Sequence, residues 1–265
     1  MRVLGVLALA GAASGLTARA DGQPFDHSAF DALLRAHVRD GMVDYDAFRK
    51  TPSFAGYLAT LASADPFRLG AQERLAYWIN VYNAYTIELV SVHGERDSIR
   101  NINKSLGLAF PGPWRVPLVR AGGQTYHLDN VEHDIIRKQF KEPRIHFALV
   151  CAAMGCPPLR NEAYTGGRLD AQLQDQAITF LLNSADKNRV DAAAGVVYAS
   201  PIYASWYRED FGSTDAAIGR YLAGFHPLGP EKTLLLSGRF RFVQTEYDWT
   251  LNSQEKARAR GAGKP

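Results

Sequence analysis

Both cysteines of the 265-residue chain fall in one stretch, IHFALVCAAMGCPPLR, at residues 145–160. Three chemistries fit it. A disulfide fits because Gly155 lies between Cys151 and Cys156 and Pro157 follows, so the chain can turn back to bonding separation. A reactive thiol fits because Cys156 stands on a turn after an apolar run, where functional side chains are commonly displayed. A thiol nucleophile needs an imidazole within hydrogen-bond reach and a third group to orient that ring. His133 is the candidate base, and Asn80 or Asn83 is the candidate orienting or oxyanion-donating amide. Arg160 is placed to lower the thiol pKa or to hold an anionic substrate group. His146 and Glu132 stand beside it as substrate-binding candidates. A metal corner is the third chemistry, yet the spacing of His127, His133, His146, Cys151 and Cys156 matches no familiar zinc pattern. No metal and no other cofactor is expected.

Each candidate also has a plainer role. Asp129 and Glu132, three apart before an apolar run, form a capping-box pattern that leaves His133 an ordinary helical residue. Asn80 and Asn83 share one side of an apolar helix and read equally as buried amides bonded to loop backbone, the SIRNI segment for instance. The aromatic sets SWYREDF and YDWTLN read as core and edge packing, because Trp and Tyr bury large areas.

The elements that must position these residues follow from periodicity. DHSAFDALLRAHV is amphipathic at helical spacing, with Asp26 or Ser28 to cap it, and a Pro-interrupted helical region ends at Asp65-Pro66. AQERLAYWINVYNAYTIELVSVHG is the strongest helix, stopped at Gly94. WRVPLVRAGGQTYHL predicts two short strands joined around Gly122-Gly123, with Pro117 marking an edge. LDNVEHDIIRKQF predicts a helix begun by Asp129. RIHFALVC reads as a central strand, with His146 and Cys151 on opposite faces by alternation. RLDAQLQDQAITFLLNS predicts a helix buried along Leu169, Leu173, Ala177, Phe180 and Leu181. A hairpin at NRVDAAAGVVYAS, two further helices and a last strand at RFRFVQTEYDWTLN complete the chain. Helices outnumber strands and no βαβ repeat occurs. The expected class is therefore α+β, a single domain with a small, mostly antiparallel sheet enclosed by several helices.

Composition narrows the setting. Val3 to Leu16 is an apolar run after Arg2, and Ala18-Arg19-Ala20 fits small-x-small cleavage, so residues 1–20 read as a signal peptide. Residues 21–252 are then one globular domain, and residues 253–265 a basic, disordered tail. The formal charge is +3, from 30 basic and 27 acidic residues. Arg2, Arg19 and the basic end carry that excess, so the body is near neutral and offers no nucleic-acid footprint. No later segment is long and apolar enough to span a membrane. The expected product is periplasmic or secreted, and monomeric.

YWINVYNAYTI, SIRNI, YHLDNVEHDIIR, PRIHFALVCAAMGCPPLR, FLLNS, SWYREDFG and YDWTLN occur in an order that resembles the family catalogued as domain of unknown function 547. The resemblance runs over nearly the whole chain after residue 20. It implies relatives that are often exported in bacteria and that in plants follow a coiled-coil region, and it implies no reaction. From the residues themselves, the activity expected is a thiol-dependent hydrolase or acyl transferase with Cys156 as nucleophile and His133 as base. The alternatives are a non-catalytic binding module stapled by a Cys151–Cys156 disulfide, or a redox-active disulfide protein. The partner would be a small molecule, peptide or glycan.

Overall fold

The computed structural model describes residues 24–103 and 112–262. The predicted signal peptide and part of the LAFPGPW loop lie outside these residues. The chain opens with α1 (Ser28–His37), the short hairpin β1 (Val38–Arg39) and β2 (Met42–Val43), then α2 (Tyr45–Lys50) and α3 (Pro52–Ser63). Asp26 accepts from the Ser28 amide and Asp44 from the Ala47 amide, each satisfying an orphan donor of a first turn. Pro52 opens α3 because a first-turn residue needs no N–H.

The helix α4 (Ala71–His93) is the axis of the molecule. It is buried on nearly all sides from Leu75 to Ser91, which is why its apolar residues are not confined to one stripe. Gly94 ends it with φ +59°, a left-handed turn that only glycine takes without steric penalty. The hairpin β3 (Val119–Ala121) and β4 (Gln124–Tyr126) turns at Gly122-Gly123 as expected, with the strand starting after Pro117. A wide π-helical turn, Asn130–Ile136, continues into α5 (Arg137–Phe140).

The helix α6 (Leu169–Leu182) buries the five apolar residues its periodicity singled out. It leads to a second, smaller core. There β5 (Arg189–Asp191) and β6 (Val196–Ala199) form the expected hairpin. A second π-helical turn (Ile202–Trp206), α7 (Arg208–Phe211), α8 (Asp215–Ala223) and α9 (Pro230–Ser237) follow. Next, β7 (Arg241–Gln244) returns to pair parallel with β6. The result is a single α+β domain: among the described residues, two small hairpins and one three-stranded sheet surrounded by helices. No described helix is long and apolar enough to cross a membrane.

Two expectations fail here. RIHFALVC is not a strand. Pro143 starts a 3-10 turn that runs to Phe147, with Glu142 accepting from the Arg144 amide, and Leu149 and Val150 follow outside any strand. The predicted disordered tail is also wrong over Gln254–Ala262, which form α10. Ser253 caps that helix through Lys256, and Lys256 pairs with Asp97.

Candidate functional site

Buried backbone outside a helix or strand ladder must still find partners for its N–H and C=O groups. At 148–150 the partner is a side chain. The Asn83 amide donates to the Ala148 carbonyl at 2.9 Å and accepts from the Val150 N–H at 3.0 Å. Asn80 does the same one turn earlier, donating to the Tyr164 carbonyl at 2.7 Å and accepting from its N–H at 3.0 Å. Both amides are buried and their functional atoms are engaged with backbone. The catalytic role considered for Asn80 and Asn83 is therefore corrected to that of surrogate strands. The loops they hold are at 148–150 and 164, not SIRNI.

The held segment delivers Cys151 to a tight turn. Ala152 within it takes φ +60°, a left-handed conformation uncommon for a residue with a side chain. Cys151 and Cys156 are joined as a disulfide across 6.3 Å between their Cα atoms. That bond overturns the thiol-hydrolase expectation, because a sulfur bonded to sulfur is neither nucleophile nor base. Both sulfurs instead meet the Tyr247 hydroxyl, at 3.0 Å from Cys151 and 3.1 Å from Cys156. The closing segment is laid along the turn: Met154 donates to the Thr250 carbonyl and Gly155 to that of Asp248, both at 2.8 Å. Gly155 is required there, since a Cβ would stand 2.9 Å from the Asp248 nitrogen and from the Tyr247 ring.

The other chemistry candidates separate. His133 is half-buried, with Nδ1 3.2 Å from the Arg137 guanidinium, and does not border the disulfide. Arg160 does not reach it either. Its guanidinium is taken by Glu162 at 2.7 Å and by Asp175. The Asp129–Glu132 capping box is absent. His127 and Asn130 exchange the two capping bonds in its place, at 3.1 and 3.3 Å. Among the described residues, no group of three His, Cys, Asp or Glu is arranged to hold a metal ion.

Beside the disulfide is a cleft of about 220 Å³. It lies at the seam of the two cores, and Tyr247 packs against both. Seams of this kind are common places for ligand pockets. His146 and Glu132 line it, the two candidates that the structure brings together with the cysteines. His146 is buried, stacked on Tyr207 with ring centres 4.0 Å apart, and its Nε2 is 2.6 Å from Asp210. Arg137 grips the same carboxylate at 2.6 and 3.0 Å. Burial alone would raise the Asp210 pKa, but the bonds from His146 and Arg137 outweigh it and hold the carboxyl well below its ordinary range. Glu132 faces the hydroxyls of Tyr82 and Tyr207. Burial, and after it this carboxylate, push both phenol pKa values far up, so both remain O–H donors.

Trp206, Tyr207, Tyr247 and Trp249, also in the wall, read in sequence as packing. Trp206 and Tyr207 follow from the second π-helical turn, Tyr247 and Trp249 from the closing segment, and Trp114 from the loop before β3. Trp249 is at the centre, 5.9 Å from Trp114, 5.7 Å from Trp206 and 4.7 Å from Tyr247. Trp206 is 46% exposed at the rim, an expensive position for an indole that packing alone does not require. The signal available beforehand was that three of the four tryptophans stand outside the long helix, two of them, Trp206 and Trp249, in short polar segments. Both π-helical turns border the cleft, and such turns are frequent at functional sites because the widened ring re-aims side chains.

Residues 66–181 match the family described as protein of unknown function, DUF547, which places this part of the chain in that family. The match contains Asn80, Asn83, Glu132, His146 and the disulfide. The aromatic wall from Trp206 to Trp249 lies beyond it. No curated protein and no solved structure matches the chain.

Proposed function

We propose that this member of the DUF547 family is a non-catalytic binding module whose aromatic cleft takes a small molecule, or the end of a peptide or glycan. One observation carries the reading. The chain's two cysteine sulfurs are bonded to each other in the wall of the cleft, and the rest of the wall is mostly aromatic rings, with His146, three aliphatic residues, Asp129 and the buried Glu132 carboxylate. A few polar groups in an otherwise apolar concavity fix orientation, and the rings supply contact area. The staple holds the turn that carries one side of the cleft.

Export belongs to the same reading. The apolar run from Val3 and the Ala18-Arg19-Ala20 site support cleavage before Asp21, and a disulfide persists in oxidising compartments. Intact mass of the protein recovered from a periplasmic fraction should correspond to a chain starting at Asp21 with two fewer hydrogens than its dithiol. A full-length or reduced chain would count against export.

Binding is tested on the four indole N–H signals of the isotope-labelled protein against a library of small solutes, short peptides and oligosaccharides. The expected result is saturable shifts at Trp114, Trp206 and Trp249, with the core residue Trp78 unmoved. Shifts confined to other surfaces would refute the cleft. Conversion of a bound compound would refute the non-catalytic part.

A further inference from the structure

The rings of the cleft are tilted against one another, at 32° for Trp206 and Trp249, 65° for Trp114 and Trp249 and 59° for Trp206 and Tyr247. They therefore make a concave wall and not a flat platform of the kind on which a planar ligand stacks. A concave aromatic wall presents the negative faces and positive edges of several quadrupoles to one volume, and the ligand that profits from ring faces is a cation.

Charge points the same way. Besides tyrosines, the ionisable groups that line the cleft are Asp129, Glu132 and His146, and among the described residues no Lys or Arg lines it. The described cations nearby already have carboxylate partners: Arg115 pairs with the lining residue Asp129 at 3.0 Å, and Arg137 with Asp210 and Glu209. His146 points its Nε2 at Asp210. Glu132, 6% exposed, is left with tyrosine hydroxyls and a longer-range interaction with Arg137. A buried carboxylate is costly unless a positive charge accompanies it. Leu149, Pro157 and Ile202 fill the remaining wall, a surface suited to methyl groups and unsuited to the several hydrogen bonds a primary ammonium requires. At about 220 Å³ the volume accommodates a compact head group.

We propose that the cleft recognises a methylated ammonium group, its charge met by Glu132 and its methyls packed against Trp114, Trp206 and Trp249. This rests on the binding-module reading above and specifies its ligand class. Trp249 already takes part in this chemistry within the chain, with the Arg100 guanidinium 5.1 Å from its ring centre.

The test compares choline with 3,3-dimethyl-1-butanol, which has the same shape without the charge, by titrating the indole signals. Choline should bind at least about tenfold more tightly than the neutral isostere, and Glu132→Gln should abolish that preference. Trp206→Leu, at an exposed position the fold tolerates, should weaken choline about fivefold and leave the Trp78 signal in place. If Glu132→Gln fails to fold, the charge comparison and Trp206→Leu still decide the matter. Equal affinity for the two probes would overturn the cation proposal and leave a binding cleft standing. So would failure of choline where other library compounds still move the three cleft indoles. If nothing moves those indoles, the binding reading itself falls.

Discussion

Replacing Asn83 tests how the cleft is held in place. Asn83→Ala removes the partner of the Ala148 carbonyl and of the Val150 N–H, both in backbone that is buried. Each unpaired buried group costs about 2 kcal/mol, so the variant should lose about 4 kcal/mol before any collapse of the small void. Asn83→Asp separates the two bonds. An ionised carboxylate can still accept from Val150, but it faces the Ala148 carbonyl with no proton to give, in a site where Asn83 is 3% exposed. The buried acid should stay protonated, with its pKa raised from about 4 to about 7, because the neutral form restores the donor. In that window the folded variant holds a proton that the unfolded chain has released. Its stability relative to wild type therefore falls as pH rises from about 4 to about 7, by about 4 kcal/mol in all. Urea unfolding followed by far-ultraviolet circular dichroism at several pH values measures this, taking the variant-minus-wild-type difference at each pH. The expectation is a constant deficit for Asn83→Ala and a pH-dependent one for Asn83→Asp. A deficit for Asn83→Ala below about 1 kcal/mol would refute the surrogate-strand account, as would parallel pH profiles for Asn83→Asp and wild type.

Three further outcomes follow from the geometry. The Cys151→Ser, Cys156→Ser double variant closes no loop, and because the native bond spans a sequence separation of 5 its loss should cost only about 2 kcal/mol. The folded double variant should bind cleft ligands with little change, which ligand titration checks. Gly155→Ala puts a Cβ 2.9 Å from the Tyr247 ring and the Asp248 nitrogen, so the closing segment must move. That should cost about 1–3 kcal/mol and shift the Trp249 indole signal, read by nuclear magnetic resonance. His27 is buried against Tyr57, and burial drives its pKa down to about 4. From about pH 6.5 down to about 4 the unfolded chain binds a proton that the folded chain refuses. Stability should therefore drop by about 3 kcal/mol on acidification across that window, and this component should vanish in His27→Asn, measured by urea midpoints.

What the sequence made legible was what local pattern decides. The long helix is set by a largely apolar, aromatic-rich stretch and a glycine stop, the α6 stripe by 3.6-residue spacing, and the β3–β4 hairpin by paired glycines, none of which needs a distant partner. The failures share one cause, an identity set by residues far away in sequence. RIHFALVC has the composition of a central strand, but the hydrogen bonds that would make it one come from an asparagine side chain 65 positions earlier. Glu132 and Asp129 satisfy a local capping rule, yet His127 and Asn130 take that task and free Glu132 to face the cleft. The cysteine turn was found, while its chemistry depended on whether the two sulfurs faced a base or each other. Tyr247, 91 residues beyond Cys156, is the group that closes over them. The aromatic wall is the same case. Trp206 and Trp249 read singly as packing residues, and only the meeting of two π-helical turns with the closing segment gathers them, with Trp114, around one buried carboxylate. A site assembled at the seam of two cores is invisible to any window of sequence shorter than the separation of its walls. Its one local trace is the pair of indoles in SWYREDF and YDWTLN, segments too short and polar to need them.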